Sequence, residues 1–305
     1  MVGDVTGYHV RTLGLDMDSS PAPLTARQTF HRYFSDLLFV AMHLSVLLVF
    51  AVHFSWSLVA MALGAYLLRM GAITAGYHRY FAHRAYKTSR AFQLVLAVLG
   101  TTAMQNGPLW WASVHRRHHK HSDTPQDPHS PARRGLWYAH VGWIFDRTRS
   151  PADYANVGDL SSYRELRFLD RHEWLPIVGY AFTCFAIAGL PGVVWGFCVS
   201  TIAVLHGTML INSLAHVWGR RRYETDDDSR NNGVLAVVTL GEGWHNNHHH
   251  YVSSARQGFM WWEIDVTYYA IRALAACGVV WDVREPPAFI VAGGRQPRLA
   301  ERFVG

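Results

Sequence analysis

Two long stretches of this sequence carry no formal charge. No Asp, Glu, Lys or Arg lies between Asp36 and Arg69, and none from Leu175 through Gly219. Cysteine is almost as scarce: Cys184, Cys198 and Cys277 are the three present, scattered in apolar surroundings. That excludes a disulfide framework and an ordinary cysteine-held iron–sulfur cluster. No HExxH marks a zinc peptidase, no GxGxxG opens a flavin or nicotinamide domain, and no HPGG suggests a fused haem domain. A single Glu-x-x-His, Glu242 to His245, falls short of the two that carboxylate-bridged di-iron bundles need. No signal peptide is evident, because the first 30 residues hold Asp4, Asp16, Asp18 and two prolines in place of an apolar core.

What is present is segregated. Hydrophobic residues make up 50% of the chain and charged ones 16%, yet mean hydropathy is +0.02, so strongly apolar stretches are offset by polar ones. With 12 Trp, 14 Tyr and 15 Phe, disorder is excluded. Each uncharged stretch is long enough for two crossings of a bilayer core of about 30 Å, at about 20 residues per helix. The expected fold is therefore an all-α integral membrane protein with four spans, at 36–54, 57–77, 174–190 and 193–214. They form two hairpins, turning at His53–Trp56 and at Gly189–Gly192. The net charge of +6 lies outside the turns. By the positive-inside rule, the segment before the first span, the 78–173 segment and the C-terminal segment are expected in the cytoplasm, together with both termini. Arg69 is the one charge inside a span, and two readings of it stand: a functional group, or a side chain snorkelling to the cytoplasmic end of its helix. The 91–111 stretch is broken by Gln105, Asn106, Gly107 and Pro108, and 259–281 carries Glu263, Asp265 and Arg272. Both read as re-entrant or interfacial segments.

Histidine is the abundant oddity. The 19 His nearly match the 22 Asp plus Glu, and ten of them fall in HRYFAHR at 78–84, HRRHHKH at 115–121 and HNNHHH at 245–250. All three clusters lie on the expected cytoplasmic side. His115, His118 and His119 have the spacing i, i+3, i+4, which puts three imidazoles on one face of a helix, and His245, His248 and His249 repeat it. His78 and His83 lie about 140° apart on a straight α-helix, so they serve different metals or straddle a bend. Fe, Cu and Zn all accept such ligands. His121, His129, His140 and His250 read as supporting or surface groups, while His9, His31, His43, His53, His172 and His206 carry no assigned chemistry.

At this level of detail the chain resembles the membrane-bound fatty acyl desaturases of the stearoyl-CoA type, bacterial branch. The likeness runs through AGYHRYFAHRAYKTSRAFQ, HRRHHKHSDTPQDPHSP with RRGLWYAHVGW, NSLAHVWGRRRYETDDDSRNN, TLGEGWHNNHHH and the tail SARQGFMWWEIDVTYYAIRALAACGVVWDV. It implies a cytoplasmic N-terminal segment at 1–35, a desaturase domain at 36–286 with a helical cap carrying the metal site, and a tail at 287–305. It also implies two iron ions held by His78, His83, His115, His118, His119, His216, His245, His248 and His249, with Asn212 joined through water. Only the resemblance singles out Asn212 and His216.

The implied reaction introduces a cis double bond, of delta-9 position, into a long saturated acyl chain. Taking hydrogen from an unactivated methylene pair requires iron and O2, and zinc has no redox chemistry with which to replace it. Acyl-CoA is the expected carrier. The animal acyl-CoA enzymes carry Arg and Asp just before the second cluster where this chain has Ser113 and Val114, so acyl-ACP and a phospholipid-bound chain stay open. Arg116, Arg117, Arg133, Arg134, Arg147 and Arg149 are candidates to bind an anionic carrier. Stepping back from His78 by helical turns gives Thr74, Gly71 or Met70, and Leu67 or Tyr66, so Tyr66 either stops the methyl end of the substrate or packs on another span. Electrons must come from a separate ferredoxin or cytochrome b5-like donor, with Arg220, Arg221 and Arg222 as a docking candidate. A related di-iron hydroxylase is the second enzymatic reading. A metal transporter or a bis-His haem cytochrome is the non-enzymatic one.

Overall fold

The computed structural model describes residues 26–146 and 152–293, and it is dominated by helices. Helix α1 (Ala26–Ser45) runs on as a 3-10 turn to Phe50. Helix α2 (Trp56–Gly71) starts at Ser55, whose hydroxyl accepts the Leu58 N–H, and continues without a break as 11 residues of π-helix, Ala72–Ala82. Among the described residues, three helices are long and apolar enough to cross a membrane: Tyr33–Phe50, Trp56–Ala82 and Trp174–His216.

The last of these, at 43 residues, is not straight. Helix α6 (Trp174–Gly192) leaves helical geometry at Ala188 and Gly189, the latter at φ +62°, and Pro191 follows. The chain then reverses, for the Tyr180 hydroxyl donates to the Gly196 carbonyl at 3.2 Å. A side chain at Gly192 would sit 2.2 Å from the Cys184 carbonyl, so only glycine closes this turn. Beyond it the chain passes through π-helix Val193–Val199 into α7 (Ser200–Ser213) and a 3-10 turn ending at His216. The helices thus break between Phe50 and Trp56 and at Ala188–Gly189, close to the two expected turns, while the helix ends differ from the expected bounds. The first apolar helix stops at Phe50, short of residue 54, and the second runs past 77 to Ala82.

Arg69 does not snorkel. Its guanidinium is fully buried, donating to Thr201 Oγ1 at 2.7 Å, to the Thr102 carbonyl at 3.2 Å and to Ser200 Oγ, and lying 4.6 Å from the Tyr180 ring centre. A buried charge is tolerated only with its donors satisfied, and here the Ser200 and Thr201 hydroxyls of α7 and the Thr102 carbonyl do so. Arg69 thereby ties α2 to both neighbours.

Helix α3 (Arg90–Thr101) is apolar but only 12 residues long. Met104 and Asn106 then take φ of +57° and +65°, and α4 (Pro108–His121) begins. Asp170, near the end of α5 (Arg164–Arg171), accepts the Leu109 and Trp110 N–H groups at 3.0 and 2.9 Å and so fixes where α4 starts. The remaining cap contains α8 (Gly233–Val238), α9 (His245–His250) and α10 (Val266–Ala276), with β1 (Lys87–Thr88) paired antiparallel to β2 (Val280–Trp281). The main core joins α2 and its π extension to α3, α4 and α10 through Met70, Ile73, Tyr77, Phe81, Leu96, Leu109 and Ile271.

Candidate metal centre

Nine imidazoles gather into two groups. His78, His83, His115, His119 and His248 form one, and His118, His216, His245 and His249 the other, each with its ligand atoms within 4.8 Å of one another. These are the nine histidines that the resemblance implied. The way the helices share them differs from the expectation. Helix α4 gives its i, i+4 pair, His115 and His119, to the first group and His118 to the second. Helix α9 does the reverse, giving His245 and His249 to the second and His248 to the first. At 3.6 residues per turn, i+3 lies about 60° to one side of i and i+4 about 40° to the other, an arc of about 100°, so a helix standing between two centres feeds both. Each triplet shares one face of its helix, as the spacing implied, but that face is divided between the two groups.

His78 and His83 also serve one group, not two. The reason is the π-helical winding of Ala72–Ala82, in which the His83 N–H reaches the His78 carbonyl at 3.1 Å. An i+5 hydrogen bond stacks residues five apart, where α-winding would separate them.

The geometry fits a metal. In the first group, successive Nε2 atoms are 2.9 Å apart for His83–His115 and 3.0 Å for His115–His119, His119–His248 and His248–His78. His216 and His245 approach to 3.1 Å. Metal–nitrogen bonds of about 2.1 Å set at right angles have edges of about 3.0 Å. The opposite ring edges are held by carboxylates: His118 Nδ1 by Asp127 at 3.0 Å, His216 Nδ1 by Asp123 at 2.8 Å, His249 Nδ1 by Asp227 at 2.5 Å and His78 Nδ1 by Glu242. With the proton kept on Nδ1, the Nε2 lone pair faces inward, and His249 Nε2 is buried there with no hydrogen-bond partner.

Electrostatics agree. Burial, reinforced by neighbouring imidazoles, pushes His83, His115, His119, His245 and His248 well below the ordinary histidine range, which keeps them neutral as ligands must be. Burial alone would raise the Asp123 carboxyl, but His216 overcomes it and holds that carboxyl at about 2. Asp127 and Asp227 are likewise held low against burial by His118 and His249.

Sequence reasoning missed these four carboxylates. Asp123 and His216 are 93 residues apart in the chain, so no local spacing links them. Their signals were acidic residues near the second and third histidine runs, Asp123 and Asp127 after the one and Glu242 before the other, while DDD at 226–228 stands apart from any run.

The other expectations fall out unevenly. Asn212 sits half-buried in α7, one turn before His216. His129 is buried 3.7 Å from Asp127, and His250 stacks on Tyr223 with ring centres 4.1 Å apart. His43, His206 and His140 form a separate hydrogen-bonded row, with contacts of 3.2 and 3.0 Å. Met70 and Thr74 are buried, Thr74 bonding Thr267 at 2.8 Å, and the Tyr66 hydroxyl donates to the Val238 carbonyl. Gly71 faces open space. Arg116 is committed to Asp159 and to the Phe81, Ala82 and Asn156 carbonyls. Arg147, Arg149 and His9 lie outside the described residues.

The family model for fatty acid desaturases matches residues 54–280. The sn-1 stearoyl-lipid 9-desaturase of Synechocystis sp. is 37% identical over 288 residues, covering 93% of this chain and 88% of its own. The delta-9 acyl-lipid desaturase 2 of Arabidopsis thaliana is 40% identical over 245 residues, 79% of this chain and 80% of its own. The acyl-CoA C20 delta5-desaturase of Anemone leveillei is 39% identical over 248 residues, 80% of this chain and 79% of its own. With the histidine groups in place and the match spanning them, the chain belongs to the fatty acid desaturase family and is an oxidoreductase of the desaturase kind.

Proposed function

We propose that this protein is an O2-dependent di-iron desaturase that places a cis delta-9 double bond in a long saturated acyl chain. The observation that carries the reading is the pair of histidine groups with Nε2 atoms turned inward at about the spacing of adjacent metal ligands. His78, His83, His115, His119 and His248 would hold one iron, and His118, His216, His245 and His249 the other, with Asn212 orienting a water. Bound iron supplies the redox-active O2 chemistry that an unactivated methylene demands. The protein's own part is to hold the Nδ1–H groups of His216, His118, His249 and His78 against the carboxylates of Asp123, Asp127, Asp227 and Glu242, and to bury the site from bulk water. Trp111, stacked on His115 at 4.8 Å and bonded to Gln105 at 3.3 Å, walls the site on the α4 side.

Four crossings in two hairpins, with the histidine groups and both termini in the cytoplasm, are supported by the turn at Ala188–Gly192 and by charge-free turns. The acyl chain is taken to lie along α2, past Thr74, Gly71 and Met70 toward Tyr66, with Arg147 and Arg149 near its anionic head. Of the three relatives described, two are named for lipid-linked substrates and one for acyl-CoA, and on that balance we place a lipid-bound chain ahead of the acyl-CoA first expected. Ser113 supports this, since its hydroxyl is buried on the Asp153 carbonyl at 2.8 Å and offers nothing to a carrier. The test is expression in desaturase-deficient cells, followed by mass spectrometry of derivatised fatty acids. A double bond nine carbons from the carboxyl end is expected. A hydroxylated chain would make the protein a hydroxylase instead, and no new product would end the reading.

A further inference from the structure

We propose that the basic cleft beside His83 is the docking site of an acidic one-electron carrier protein. The inference rests on the desaturase reading and deepens it by locating where its electrons enter. The cleft holds about 460 Å³ and is lined by Arg84, Tyr86, Lys87, Asp282, Val283 and Arg284. Three cations face one carboxylate, and that carboxylate is occupied by Lys87 at 2.7 Å. Arg84 reaches Asp159 only through Nε, at 3.5 Å, while its Nη1 is buried with no hydrogen-bond partner among the described residues. The Arg284 side chain is exposed.

The second cleft has the opposite sign. It holds about 390 Å³ against the four-histidine group, and Asp123, Asp226, Asp227 and Asp228 outnumber Arg133 and Arg221 in its wall. The Arg220–Arg222 run, the docking candidate from sequence, borders this acidic side: Arg221 lies 3.6 Å from Asp228, and Arg222 pairs with Glu263 at 2.6 Å. An acidic partner is repelled there and attracted beside His83.

The basic cleft is also wired to the five-histidine group. Arg84 directly follows His83 in the chain. From the cleft floor, the Arg284 carbonyl accepts the Ala255 N–H at 2.8 Å, and the Ala255 carbonyl accepts Arg79 Nη1 at 2.7 Å. Arg79 Nη2 donates to Glu242 at 3.0 Å, and Glu242 holds His78 Nδ1. Covalent and hydrogen-bonded contacts thus run unbroken from the cleft to two of the five imidazoles, which is the connectivity that electron tunnelling favours.

The stoichiometry requires such a partner. The reaction R–CH2–CH2–R′ + O2 + 2 e⁻ + 2 H⁺ → R–CH=CH–R′ + 2 H2O reduces O2 to water and oxidises the acyl chain by one electron pair. The second pair comes from two reduced carriers, each oxidised by one electron per docking.

Binding, not turnover, tests the site. The full-length protein in lipid nanodiscs is titrated with a plant-type [2Fe–2S] ferredoxin and, separately, with the soluble haem domain of cytochrome b5. Lys87→Glu and Arg284→Glu are each expected to weaken the carrier that binds by about tenfold at roughly 0.01 M salt, where charges act over about 30 Å, and by far less at about 1 M. Lys87→Arg and Arg284→Lys should bind as the wild type does, and Arg220→Glu should change affinity less than twofold. Which carrier binds identifies the partner as an iron–sulfur or a haem protein. Circular dichroism and metal content unchanged in the Glu variants show that the fold is intact. Wild-type affinity in both Glu variants, loss confined to Arg220→Glu, or no binding of either carrier to the wild type would overturn the proposal. Absence of a double bond in the product analysis would sink the desaturase reading without altering the binding result.

Discussion

At the scale of single residues, the two histidine groups set nine of the nineteen histidines apart, and on the proposed reading these nine are the ones the chemistry needs. Replacing any of His115, His118, His119, His245, His248 or His249 by Ala should abolish turnover and reduce bound iron, read by product analysis and metal content. His250→Ala should keep both, because its ring stacks on Tyr223 and takes no part in either group. Asp227→Asn and Glu242→Gln, which disturb the proton on His249 and His78, should weaken metal binding by about 10- to 100-fold, measured by competition with a chelator. Asn212→Ala is expected to retain iron and lose activity by about the same factor. Loss of the iron itself would make Asn212 a direct ligand. The ligand types were legible in the sequence because imidazole runs are rare and local. The carboxylates behind them were not, since Asp123 and Glu242 meet their partners through loops more than 90 residues away along the chain.

Among the elements, the features hidden from sequence are those set by backbone hydrogen-bond register. Apolar runs, Ser55 and the Gly189–Pro191 turn announced the helices and their breaks. Nothing in AITAGYHRYFA announces π-winding, yet it decides that His78 and His83 face the same group. The rotation of α4 and α9 about their axes was equally invisible, and it divides each triplet. Helix α2 supplies a direct test of the substrate path. Gly71 faces open space, so Gly71→Leu should fold without a clash and block the usual chain if the chain passes there. Tyr66→Ala should shift the preference toward longer chains without moving the double bond counted from the carboxyl end. Unchanged chain-length profiles in both active variants would put the path along another helix. In the α6–α7 hairpin, Gly192→Ala should cost about 1–3 kcal/mol or more, because its Cβ would meet the Cys184 carbonyl. Thermal unfolding in nanodiscs measures that loss.

For the whole molecule, the two histidine groups join parts that are distant along the chain. Ligands come from the end of the π stretch, from α4, from the end of the α7 turn and from α9. Metal bound to the folded state alone stabilises it by about 2.7 kcal/mol at a hundredfold excess over the dissociation constant. Chelation should therefore lower the unfolding temperature, and zinc should restore it while leaving turnover at zero, because zinc supplies no redox step. The exchange of ligands between α4 and α9 has one more consequence. An ion held by the five-histidine group would fix α4 through His115 and His119 and with it His118, and one held by the four-histidine group would fix α9 through His245 and His249 and with it His248, so each would help preset the other group. Filling the centre is then a concerted event: iron titration of the stripped protein should be sigmoidal, with half-filled molecules scarce at the midpoint in native mass spectra.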